Sequence, residues 1–237
     1  GEVFPIPLQS GVHIIGAETA ENTVIDAEQT GSVIAGHHPL NCNISNLTLT
    51  GGESWGGGGV YLMNPDGIRI ENCKITNNQA LGSSPGWPLH DKIFGGGGAI
   101  RLIDGELTVV NTVFENNHSQ TLGGAAYVTS SDSGVNLHTN NTFKGNTAGS
   151  GTGAVLACDP QSRISATYNH FEYNYNSDAM AWPQNRINLN QSTYQKELLT
   201  APTVYVSPMG SDQNSGLSST EAFLTLQHAV KVIDTSA

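Results

Sequence analysis

Two tryptophans are the strongest hint of chemistry in this chain. Trp55 lies in a glycine-rich corner, and Trp87 lies in the stretch ALGSSPGWPLHDKIF at 80–94. Exposed indoles on neighbouring repeats would make a stacking platform for a sugar ring. His90, Asp91 and Lys92 share the second stretch, and with Asp66 they are where an acid or base would act if the protein were an enzyme. The plainer reading folds both indoles back over the flank of the repeats.

The remaining candidates each have an ordinary reading. Glu115, Lys144 and Glu172 form an acid–base–acid row, which as a solvated charge ladder contributes little. Asn64, Asp104 and Asp159 recur at one turn, where side-chain oxygens could bind calcium or simply cap the turn. His37 and His38 read as imidazoles on a polar loop. Sequons at Asn43, Asn46, Asn117, Asn140 and Asn190 would mark surface sites in a glycoprotein. Cys42, Cys73 and Cys158 are odd in number and lack CxxC spacing, so neither a disulfide framework nor a zinc site is indicated. No cofactor or metal is expected.

Composition narrows the class. Of 237 residues, 28 are Gly and 22 are Asn, both poor helix formers. Nine Lys and Arg against 20 Asp and Glu argue against a nucleic-acid surface. No apolar run approaches the ~20 residues of a membrane-spanning helix, so no membrane insertion is expected. With no signal peptide and no initiator Met, Gly1 reads as a processed or chosen end.

Repetition then organises the chain. The segments SNLTLTGG (45–52), ENCKITNN (71–78), VNTVFENN (110–117), TNNTFKGN (139–146) and TYNHFEYN (167–174) align. Their large apolar column is Leu49, Ile75, Phe114, Phe143 and Phe171, at intervals of 26, 39, 29 and 28 residues. Three residues on stand Gly52, Asn78, Asn117, Asn146 and Asn174. Interleaved segments GGGVYL (57–62), GGAIRL (97–102), GGAAYV (123–128) and TGAVLA (152–157) give inward columns of Val60, Ile100, Ala126, Val155 and Leu62, Leu102, Val128, Ala157. The interval of 39 marks the 80–94 stretch as an insertion.

A period of two or three short strands, with no helical half, predicts a parallel β-helix whose coils stack at ~4.8 Å. Like residues then stack on like: an aromatic stack inside, and an amide ladder of Asn78, Asn117, Asn146 and Asn174 at a corner. Asn117 would be shielded from modification there. Glu115, Lys144 and Glu172 would point outward.

These paired motifs, GGAI with FENN and GGAA with FKGN, resemble the GGA(I/L/V) and FxxN repeats of chlamydial polymorphic outer-membrane proteins. They also resemble the secreted right-handed β-helix proteins of the pectin-lyase-like superfamily. The resemblance covers about residues 11–175 and implies an all-β, right-handed parallel β-helix of about six coils. Fold alone does not assign activity, since that superfamily holds enzymes, adhesins and inert stalks. Its hydrolases use paired carboxylates. This chain has no Asp-Asp pair and no GHG or RIK tripeptide, and no catalytic residue is assigned.

The C-terminus departs from the repeats. Ser218 with Glu221 forms a capping box. Phe223, Leu226, Val230 and Ile233 then share one face of a short amphipathic α-helix. TVYVSPMGSDQNSG with STEAFLTLQHAVKVI after it is similar to the N-terminal start of secreted β-helix proteins. GEVFPIPLQSGVHIIGA at 1–17 is similar to the stretch that comes next in those proteins. The chain thus reads as a permuted order: 1–175 β-helix, 176–200 linker, 201–237 a strand-loop-helix cap for a following β-helix. The cap could cover Val12 and Ile14 of another copy, could belong to a covalent tandem array, or could close its own coil. The functional expectation is an extracellular or cell-surface structural protein, a filament subunit or stalk or adhesin repeat, whose partners are copies of itself. The alternative is a carbohydrate-active enzyme or sugar-binding module using Trp55 and Trp87, with polysaccharide as partner.

Overall fold

Apolar columns that recur on short strands can be buried only if each repeat winds onto the last. The computed structural model shows this winding, and it describes residues 2–82, 95–129, 135–137, 140–149, 153, 155–172, 174, 181–182, 186–195, 205–216, 218–225 and 228–229. Three parallel seven-stranded sheets run along the coil, and a fourth, four-stranded sheet lines one corner. Sheet A stacks Ile6–Pro7 (β1), Ile34–His37, Val60–Met63, Ile100–Ile103, Ala126–Thr129, Leu156–Cys158 and Ala181–Trp182. Sheet B starts at Ile14–Ile15 (β2) and ends at Ile187–Asn188. Sheet C starts at Val24–Asp26 (β3) and ends at Thr193–Gln195. The chain visits A, B and C in turn and then begins the next rung.

Register places like on like. Ile25, Leu49, Ile75, Phe114, Phe143 and Phe171 pair in sequence along sheet C. The three phenylalanine rings lie parallel, with centroids 4.8 and 4.9 Å apart. That separation is the strand spacing, so backbone pairing fixes the stack. All three rings are buried. Each such ring contributes on the order of 2–3 kcal/mol by leaving water.

Behind this column the amides form a ladder. The Nδ2 of Asn117 donates to the Ile75 carbonyl one rung back (2.9 Å). Its Oδ1 accepts the backbone N–H and the Nδ2 of Asn78 (3.1 and 3.0 Å). Asn146 repeats the pattern on Phe114 and Asn117, and Asn174 on Phe143 and Asn146. A second ladder runs at the next corner: Asn141 Oδ1 accepts the Thr112 N–H, and Asn169 Oδ1 accepts the Asn141 N–H, both at 3.0 Å. Outside it the turn residues Asn46, Asn72, Asn111, Asn140, Tyr168 and Gln191 all hold φ between 48° and 63°. Asn tolerates that left-handed region better than most residues. At Gly52 a Cβ would overlap the Gly58 carbonyl, so only glycine lets the chain pass there.

Four expectations are corrected. The coil has seven rungs rather than about six, and 176–200 is not a linker throughout. Strands Ala181–Trp182, Ile187–Asn188 and Thr193–Gln195 extend sheets A, B and C. The seventh rung lacks the repeated motifs, and Ser192 replaces asparagine in the second ladder, accepting the Asn169 N–H (3.3 Å). The sixth strand of sheet A is shifted by one residue: Leu156 and Cys158 align with Ala126 and Val128 in place of Val155 and Ala157. The Val155 carbonyl accepts both the Ala125 and Ala126 N–H groups, which takes up the extra residue.

The fourth correction concerns the C-terminal unit, residues 195–237, which is compact in its own right. Ser218 does accept the Glu221 N–H, but it caps a single 3₁₀ turn, Ser219–Glu221. Phe223 is not on a helix. It is extended and bridged to Val206, because its N–H donates to the Tyr205 carbonyl and its own carbonyl accepts the Ser207 N–H. Asp212 accepts the Leu224 and Thr225 N–H groups (2.9 and 2.8 Å), and among the described residues of this unit α-helical backbone is found at His228–Ala229, where Thr225 caps the His228 N–H. Leu226, Val230 and Ile233 lie outside the described residues.

Phe143→Ala should cost about 3–5 kcal/mol in denaturant unfolding, as for other buried aromatics. Lys144→Ala, one residue on and outward, should cost under about 1 kcal/mol. Equal costs would show that the inside–outside register is wrong.

Candidate functional site

A sealed interior leaves chemistry to the outer faces of the sheets. On sheet B and sheet C those faces carry ordinary polar groups. Lys74 pairs with Glu115 (2.6 Å) and Lys144 with Glu172 (3.7 Å), so the acid–base row is a set of part-exposed ion pairs. Asp104 Oδ1 accepts the Gly105 N–H, and Asp159 Oδ1 accepts those of Gln161 and Ser162, so both act as turn caps. Among the described residues no three His, Cys, Asp or Glu side chains converge as metal ligands.

Sheet A differs. Its outward column places Tyr61, Arg101 and Tyr127 directly over one another on successive rungs. The Arg101 guanidinium lies 4.2 Å from the Tyr127 ring centroid. It donates to the Tyr127 carbonyl (Nη1, 3.3 Å) and to Thr129 Oγ1 (Nη2, 2.9 Å). Among the described residues its Nε has no partner, and the residue is only 1% exposed. Among the described residues no carboxylate forms an ion pair with it. Burial pulls its pKa down to about 10, against the opposing pull of Tyr127, Tyr61 and Asp159. Burial likewise raises the Tyr61 and Tyr127 phenols. His37 meets the edge of Tyr61 at 6.0 Å. The insertion at 80–94 enters the chain just before this rung of sheet A.

This arrangement can hold negative charge against a fixed cation, and among the described residues no acid–base pair stands beside it. Sequence reasoning passed over Arg101 because it marked only the inward residues of GGAIRL. The signal was present: Arg101 is the one charged residue in the outward positions of the four GG-strand motifs.

Trp55 is 45% exposed at its corner, while Trp87, His90 and Asp91 lie outside the described residues. Asn140 and Asn190 are exposed, Asn43 and Asn46 are half-buried, and Asn117 is buried in the ladder. Asn43 Nδ2 also donates to Glu71 (3.2 Å). Phe223 is buried within the C-terminal unit, its ring edge-on to His228 at 4.8 Å, in place of the exposed docking role expected for it. Val12 is 43% exposed and Ile14 is partly buried at the first rung.

A family model described as "Right handed beta helix region" matches residues 10–193. No curated protein and no solved structure matches the chain.

If Arg101 is a costly buried cation, Arg101→Met should melt at the same or a higher temperature than the parent. Arg101→Ala, which leaves a cavity, should melt lower. Equal losses in both variants would mean that the guanidinium hydrogen bonds to Tyr127 and Thr129 hold the sheet together.

Proposed function

We propose that this chain, which belongs to the right-handed β-helix family, is an extracellular structural module that stacks head to tail with copies of itself. One observation carries the reading. Phe4, Ile6, Ile14 and Ile25 point into the first rung and pack on the core, yet they are only partly buried. The later members of the Ile25 column, from Leu49 to Phe171, are at most 1% exposed. An apolar end of this kind favours a lid.

The C-terminal unit supplies a candidate lid. Its strand, Asp212-locked loop and helical turn resemble the start of secreted β-helix proteins, the segment that in them precedes a first rung. Placed on the first rung of the next copy, it makes a heterologous contact that does not close on itself and so builds a filament, a stalk or an adhesin array. The same contact serves whether the next β-helix is a separate molecule or part of one longer chain.

The reading is structural rather than catalytic. Its support is that Glu115 and Glu172 are ion-paired, that Asp104 and Asp159 cap turns, and that the Arg101 guanidinium is buried. The net charge of −11 weighs against a nucleic-acid partner.

Sedimentation velocity tests this. The full chain should form species that lengthen with concentration, and a chain lacking 201–237 should remain a soluble monomer. Undiminished assembly of the shortened chain, or a full chain that stays monomeric at every concentration, would contradict it.

A further inference from the structure

The first rung leaves one edge of each sheet unpaired, and the three edges are not alike. In β1, the Ile6 and Leu8 N–H groups donate to the Val33 and Ala35 carbonyls of the second rung (2.9 and 2.8 Å). Backbone groups alternate sides along a strand, so Pro7 faces the open side, where it has no N–H to give. Pro5 has none either. Proline here is a way of closing a sheet edge. In β2, the Gly16 N–H donates to the Ser45 carbonyl (2.9 Å), which leaves Ile15 alone facing outward. In β3, the Thr23 carbonyl accepts the Thr48 N–H, and the Ala27 N–H donates to the Thr50 carbonyl (2.9 and 3.0 Å). Val24 and Asp26 both face outward, and no bond is described for the backbone of either.

The C-terminal unit carries a matching edge. Tyr205 N–H donates to the Gly216 carbonyl, the Tyr205 carbonyl accepts the Phe223 N–H, and Ser207 N–H donates to the Phe223 carbonyl. All of these lie on one side. The N–H and C=O of Val206 face the other, again with no bond described. Tyr205 and Val206 are each 41% exposed.

We infer that the open edge of β3 is a strand-addition site, and that its occupant is the segment Tyr205–Ser207 of a second copy of this chain. The inference rests on the head-to-tail reading and adds where contact is made. Free backbone edges recognise each other through main-chain hydrogen bonds. One outward residue, Val206, fits between the two outward residues Val24 and Asp26. The β1 edge is closed by proline, and the β2 edge offers a single residue. The first rung therefore selects where a strand can join.

Proline substitution tests the site in the full chain by repeating at other edges the device already present at Pro7. Neither Val24 nor Val206 has a described use for its N–H within its own chain, so Val24→Pro and Val206→Pro should keep the parent's circular dichroism spectrum. Each should weaken association in sedimentation by about tenfold: Val206→Pro removes the N–H that bonds the Val24 carbonyl, and at Val24 the proline ring stands on the face where the added strand packs. Ile15→Pro and Pro7→Ala should leave association within about twofold of the parent. A readout that needs no variant is amide hydrogen exchange: Asp26 and Val206 should slow as protein concentration rises, and Ile15 should not. If association survives both Val24→Pro and Val206→Pro, or if Ile15 is the amide that slows, the site is overturned while the head-to-tail reading stands. If the parent chain never associates, that reading fails and the site falls with it.

Discussion

Each rung of this coil turns corners where water cannot reach, and the backbone groups at those corners must be paired from within. The asparagine ladders meet that requirement, and much of the structure depends on it. An asparagine amide can donate back to one rung and accept from it at the same time, at a separation fixed by the strand spacing. Aspartate would lose the donor; a serine hydroxyl can take both roles where the corner is tight enough, as Ser192 does in the second ladder by accepting the Asn169 N–H (3.3 Å) and donating to the Ala166 carbonyl (3.0 Å). The ladder therefore dictates residue type, interval and alignment together. It also explains how an insertion of about ten residues is tolerated. Asn78 and Asn117 are 39 residues apart in sequence and yet bond at 3.0 Å. The extra chain leaves after Ala80, beyond the ladder residue, and loop-closure cost grows only slowly with length.

The same logic separates what could be read from the sequence from what could not. Phe114, Phe143 and Phe171 were legible because an interior position accepts few alternatives and repeats them. Asn117 and Asn146 were legible because the corner demands an amide. The second ladder was harder to read, since Cys73, Thr112 and Asn141 share a place but not a side chain. The seventh rung was missed because its strands at 181–195 carry neither motif. The slip at Val155 was missed because both candidate alignments of TGAVLA put apolar residues inward.

Two other features depended on contacts that periodicity does not encode. Phe223 has helical spacing to Leu226 and Val230, but its backbone is captured by Tyr205 and Ser207, and tertiary pairing overrides a local pattern. Arg101 sits at an outward position, where solvent would be the ordinary expectation. Its burial against Tyr127 belongs to the covering of sheet A, which no repeat announces. Interior order was thus written in repeated side chains, while the outer face and the ends were written once each.

The ladder makes the coil one cooperative object rather than a row of independent turns, and that is the claim on which the account depends most. Backbone amide hydrogen exchange of an Asn146→Ala variant tests it directly. This change removes the acceptor of the Asn117 N–H and the donor to the Phe114 carbonyl. The account predicts that protection falls in both adjoining rungs, at Asn117 and across Val113–Glu115 as well as around Thr142–Lys144. Loss of protection confined to residue 146 and its immediate chain neighbours would contradict it.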